Sequence, residues 1–106
     1  MMDRLAILKE YLRDDPEDAF TRFAIASEYR KLGDLQAALE AFEGLVRDQP
    51  GYVGTYYHLA ALYRELDRGE DARRTYQAGI KTAAAAGDRH AESELRSALL
   101  ELDIDF

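Results

Sequence analysis

Ile25-Ala26-Ser27-Glu28-Tyr29-Arg30-Lys31-Leu32 returns 34 residues later as Leu59-Ala60-Ala61-Leu62-Tyr63-Arg64-Glu65-Leu66. The same shift brings Ala38 onto Ala72, Phe42 onto Tyr76, Val46 onto Ile80 and separates Pro16 from Pro50. A fixed interval of this length points to a stacked array of helix pairs. In each copy the trio Ile25, Tyr29, Leu32 or Leu59, Tyr63, Leu66 stands at i, i+4 and i+7, which is one face of a helix.

Punctuation supports the helices. Asp15 is expected as an N-cap with Pro16 at the first helical position, and Glu17 and Asp18 follow at the positive end of the dipole. Gly33-Asp34 then makes a turn into a returning helix over Ala37 to Val46. Working outward, Leu5–Pro16 repeats Leu39–Pro50, with Leu5, Leu8 and Leu12 on Leu39, Phe42 and Val46. The chain therefore begins with a half repeat. Leu95, Leu99 and Leu102 repeat the trio 36 residues after Leu59, Tyr63 and Leu66, with two residues inserted around Ala83 to Gly87. Gly87 reads as a stop and Asp88 as the next N-cap. Arg96 stands where the copies have Ala26 and Ala60, and a long charged side chain there closes the stack with a polar cap. The expected fold is all-α, six helices near 2–13, 17–32, 35–48, 52–66, 69–85 and 88–102. One domain is divided into a half repeat (1–16), two repeats (17–50 and 51–86) and a capping helix with its tail (87–106).

Composition narrows the function. The 106 residues carry a net charge of −7, no cysteine and no tryptophan. Disulfide frameworks, thiolate metal sites and thiol nucleophiles are thereby excluded, and the acidity disfavours sequence-independent binding to nucleic acid. The amino-terminal apolar run is broken by Asp3, Arg4 and Lys9, so neither a signal peptide nor a membrane span is expected. A cytoplasmic location follows as the expectation. The charge is uneven: residues 19–87 are neutral, whereas residues 14–18 and 88–106 each carry −4.

The repeated residues resemble the tetratricopeptide repeat (TPR) motif, Trp-x2-Leu-Gly-x2-Tyr, Ala-x3-Phe, Pro. The first copy reads Arg22-x2-Ile25-Ala26-x2-Tyr29, Ala38-x3-Phe42, Pro50, and the second Tyr56-x2-Leu59-Ala60-x2-Tyr63, Ala72-x3-Tyr76. Arg22 replaces the tryptophan, Leu45 stands where a small residue is usual, and Ala84 replaces the second proline. The resemblance implies antiparallel helix pairs in a short right-handed superhelix. It also implies a concave groove lined by the first helix of each pair, holding a protein or peptide. Carried onto this chain, the groove comprises Phe20, Phe23, Ser27 and Arg30, then Gly54, Tyr57, His58, Ala61 and Arg64. His90, Ser93, Ser97 and Leu100 follow from the capping helix. The clamp for chaperone carboxy termini is not expected, because Phe23, Ser27, His58, His90 and Glu94 differ from its lysine, asparagine and arginine residues.

Two readings of Arg30 and Arg64 stay open: guanidinium forks for an acidic ligand, or partners of local acids such as Glu28 and Glu65. Phe20 and Phe23 either floor the groove or pack under the first helix. Catalytic constellations are absent, so no enzyme and no cofactor are expected. His90 and Glu94 make a two-ligand set short of a metal site, and Asp14, Asp15, Glu17 and Asp18 lack calcium-loop spacing. The leading reading is an adaptor or scaffold. Its alternative is self-association, in which the groove or exposed stack ends pair with copies of the same chain and the tail Asp103-Ile104-Asp105-Phe106 complements Arg30, Arg64 and the aromatic floor of a neighbour.

Overall fold

In the computed structural model, which describes residues 3–105, four aspartates open helices by accepting backbone N–H bonds. Asp3 accepts from Ala6 (2.8 Å), Asp18 from Thr21 (3.2 Å), Asp34 from Ala37 (3.2 Å) and Asp88 from Ala91 (3.0 Å). Each satisfies a donor that the first helical turn leaves unpaired. The elements are α1 (Arg4–Asp14), α2 (Ala19–Lys31), α3 (Leu35–Asp48), α4 (Gly54–Glu65), α5 (Gly69–Ala86) and α6 (Arg89–Asp105). Among the described residues there is no strand, and no helix is long and apolar enough to cross a membrane.

The helix ends repeat as the side chains do. Asp34 N–H donates to Tyr29 carbonyl (3.0 Å), Arg68 N–H to Tyr63 carbonyl (2.8 Å) and Asp88 N–H to Ala83 carbonyl (2.9 Å). These are the long bonds of the Schellman cap, which requires a left-handed residue. Gly33 (φ 84°) and Gly87 (φ 72°) supply it after α2 and α5. Asp67 (φ 60°) supplies it after α4, its short polar side chain tolerating a conformation that branched residues avoid.

Three details differ from expectation. The N-cap of α2 is Asp18 rather than Asp15, whose own N–H closes α1 on Tyr11 carbonyl (3.2 Å). Pro16 and Glu17 therefore form a turn between two aspartates, and Thr21 fixes the choice by donating its hydroxyl as well as its N–H to Asp18. Leu32 is 62% exposed instead of completing the packing trio, because α2 ends at Lys31 and the cap turns Leu32 outward. Finally, α6 continues to Asp105, where Asp103 pairs with Arg73 and Asp105 with Arg64. Met1, Met2 of the expected first helix and Phe106 of the expected tail lie outside the described residues.

The chain divides into two compact units, one ending at Gln49 and the other starting at Pro50. In the first, Leu8 of α1 packs with Ala24 and Ile25 of α2, flanked by Leu5, Leu12 and Tyr29. Phe42 of α3 is fully buried and meets Phe23 edge-on, ring centres 5.9 Å apart. The position of the motif tryptophan is held by Arg22, whose guanidinium bonds Asp48 at 2.9 Å. In the second unit that position is Tyr56, only 4% exposed, its hydroxyl donating to Pro50 carbonyl. Ala60, Leu62, Ala72, Tyr76, Ala83, Leu95 and Leu102 complete the second core. Ala26, Ala38, Ala60 and Ala72 have no exposed surface, as close helix approach demands.

Arg22 has a measurable consequence for Asp48. Its hydrogen bond, assisted by Arg47, outweighs desolvation and holds the Asp48 carboxyl below the ordinary 3.8. A carboxyl depressed in the folded state contributes stability above the unfolded pKa and loses it as pH falls through the folded one. Carboxyl-detected NMR should therefore find Asp48 titrating below 3.8, and Arg22→Gln should move it back up. An unchanged Asp48 titration in that variant contradicts the pairing.

Candidate partner-binding clefts

Each unit presents hollows lined by the residues expected on the first helices of the pairs. In the first unit, Phe20, Phe23 and Ser27 of α2 line a cleft of about 430 Å³ together with Arg4, Ala24, Glu28 and Lys31. The spacing Phe20, Phe23, Ser27 and Lys31 at i, i+3, i+7 and i+11 explains why one helix supplies most of the wall. Phe20 is 66% exposed, whereas Phe23 is half-buried against Phe42. Both phenylalanines line the cleft: Phe20 offers surface, and Phe23 also ties the cleft wall to Phe42 of α3, a contact neither sequence reading named. Arg4, on α1, reaches Glu28 at 3.3 Å. Arg30 of α2 is half-buried and is not among the residues lining this cleft.

In the second unit a cleft of about 340 Å³ lies between the first halves of α4 and α6. Gly54, Tyr57 and His58 line one side, and His90, Glu94 and Leu95 line the other. A second hollow of about 260 Å³ shares Tyr57, His90 and Glu94 and adds Ser93, Ser97 and Glu101. Tyr57 is 39% exposed, with its ring edge-on to His58 (5.6 Å) and Tyr76 (6.4 Å). His90 lies one turn before Glu94 and its Nε2 pairs with that carboxylate. Among the described residues no three histidine, aspartate or glutamate side chains are grouped to hold a metal ion.

Besides Arg30, three expected groove residues stand apart from these clefts. Ala61 is half-buried and Leu100 is 61% exposed, and neither lines them. Arg64 lies in a separate hollow of about 250 Å³ with Asp67, Gly69, Leu102 and Asp105. Its partner is Asp105, not the adjacent Glu65 that the sequence suggested, while Glu28 is engaged by Arg4 of α1. Arg4 and Lys31 in the first unit, and Asp88, Glu94 and Glu101 as a set in the second, line the clefts without belonging to the expected groove. A signal for the last two existed, since His90–Glu94 and Ser97–Glu101 are both i, i+4 and share a helix face.

Residues 29–99 match the sequence pattern described as tetratricopeptide repeat. A TPR repeat-containing protein of Pseudomonas aeruginosa is 29% identical over 96 residues, covering 91% of this chain and 91% of its own. The solution structure of a tetratricopeptide repeat domain protein from Salinibacter ruber is similar at 50% identity and a TM-score of 0.80. That match covers 83% of this chain and 89% of the other. The TPR2B domain of yeast Sti1, solved as a pHsp70 complex, superposes with a TM-score of 0.86 at 18% identity, covering 96% of this chain and 82% of its own. That last likeness is one of fold.

Proposed function

The chain belongs to the tetratricopeptide repeat family, and from that premise we propose that it is a non-enzymatic adaptor or scaffold holding a peptide or partner protein in the clefts of α2, α4 and α6. The observation that carries this reading is the pair of aromatic side chains, Phe20 and Tyr57, left substantially in water inside concave, polar-rimmed hollows. Large aromatic surface in such a setting is the kind that partners desolvate. The complex formed by the yeast domain of similar fold supports partner binding as the type of work. No mechanism of bond making is required; the chain's task is to present a preorganised surface, so that little entropy is lost on docking.

An acidic ligand fits the first unit, whose cleft sets Arg4 and Lys31 against the single carboxylate of Glu28. It fits Arg64 less well, because Asp105 of the same chain already sits there. Self-association through the tail loses its main argument for the same reason, since Asp103 and Asp105 are engaged by Arg73 and Arg64 within the protomer. A cytoplasmic setting suits a chain without cysteine.

Affinity purification of the wild-type chain and of a Phe20→Ala, Tyr57→Ala double variant, followed by quantitative mass spectrometry, tests the proposal. Both side chains are partly in water, so folding should be retained, and partners should fall roughly tenfold or more in the variant. An unchanged set of captured proteins sinks the cleft reading.

A further inference from the structure

The two clefts between α4 and α6 share Tyr57, His90 and Glu94, and their walls contain three carboxylates, Asp88, Glu94 and Glu101, but no lysine or arginine. We infer that this trough takes an extended basic peptide segment, with a lysine or arginine head seated at Glu94 and Glu101 and its stem lying over Tyr57. The inference deepens the partner-binding reading, on which it rests, and gives the second unit a ligand of opposite charge to the one that suits the first.

Three features make the trough fit a cation rather than an anion. Carboxylates set in a concave wall concentrate positive charge and repel negative charge, so the sign of the ligand is selected as much by exclusion as by attraction. Tyr57 presents 39% of its surface, and its edge-on contacts with Tyr76 and His58 orient the ring in advance. A ring so held offers its face to the methylene stem of a long cationic side chain, and Val53, Ala91 and Leu95 extend that apolar wall. Asp88 is fixed in the wall by the N–H of Ala91, at 3.0 Å. The present partner of Glu94 is His90, a side chain 87% exposed on the same helix, which an arriving permanent cation can displace into water.

The test is an NMR titration of the isotope-labelled full chain with two acetylated peptides of alanine and leucine, one bearing lysines and the other glutamates at the same positions. The lysine peptide should shift the amides of Tyr57, His90 and Glu94, and the glutamate peptide should not. Glu94→Gln with Glu101→Gln should weaken the lysine peptide roughly fivefold to tenfold without changing the circular dichroism spectrum. Glu94→Lys with Glu101→Lys should reverse the preference. The inference is overturned by equal response to both peptides, by a wild-type preference for glutamate, or by no response of these amides to the lysine peptide. The broader reading fails separately, when capture of cellular partners no longer depends on Phe20 and Tyr57.

Discussion

Phe42→Ala should lower the unfolding free energy by about 3–5 kcal/mol, the range for emptying a buried phenyl site. The Phe42 ring has no exposed surface and braces Phe23, whose other side lines the cleft of the first unit. Its loss removes transfer free energy and leaves a cavity between α2 and α3 that stiff helices cannot fully close. Because small domains are stable by about 5–15 kcal/mol, a large part of the total is at stake. Urea denaturation should show the midpoint falling with the slope largely retained. A change under about 1 kcal/mol would mean that the site collapses freely and that Phe23 is not braced in this way.

Gly79→Ala is expected to destabilise the second unit by about 1–3 kcal/mol, against the usual gain of about 0.5–1 kcal/mol for alanine over glycine in a helix. A Cβ on Gly79 would stand 2.6 Å from Tyr56 Cβ and 3.1 Å from Leu95 Cδ1. The Tyr56 atom is bonded directly to the α4 backbone, so α4 and α5 must move apart. Gly44→Ala is the control, because its Cβ would meet only the mobile guanidinium ends of Arg47 (3.3 Å) and Arg22 (3.4 Å). Thermal unfolding should separate the two, with Gly79→Ala melting lower and Gly44→Ala unchanged or higher. A raised melting temperature for Gly79→Ala contradicts the close approach.

Gly79 also explains a departure noted from sequence. Leu45 is its counterpart 34 residues earlier, in the position where a small side chain is usual, and it is fully buried. The counterpart of Tyr56 is Arg22, which sends its guanidinium toward Gly44 and Asp48. One copy therefore combines a small residue on the second helix with a buried ring on the first. The other combines a leucine with a half-buried arginine whose guanidinium turns to Asp48. Such exchanges preserve packing while breaking the motif.

The architecture was legible because it rests on local rules: i, i+4, i+7 spacing, aspartate caps and glycine stops each act within a few residues of chain, and a 34-residue interval repeats them. Where two local solutions compete, the sequence was ambiguous. Asp15 and Asp18 both suit an N-cap, and only the second has Thr21 placed to donate both bonds to it. The clefts were legible in part, as helix faces carrying Phe20, Phe23, Ser27, Tyr57 and His58. The occupant of Arg64 was not, since Asp105 lies 41 residues away and reaches it only once α6 has packed. In the sequence the carboxylates of α6 count only toward the −4 of residues 88–106, whereas their positions make Glu94 and Glu101 part of a wall.

The most direct measurement of the central claim is photo-crosslinking in the source cell, with a photoreactive phenylalanine analogue at position 20, 57 or 81. Phe20 and Tyr57 line clefts, whereas Lys81 is exposed on α5 and lines none of those described. The account predicts adducts with a partner protein from positions 20 and 57 and none from 81. Adducts only from 81, or only with a second copy of this chain, would contradict it.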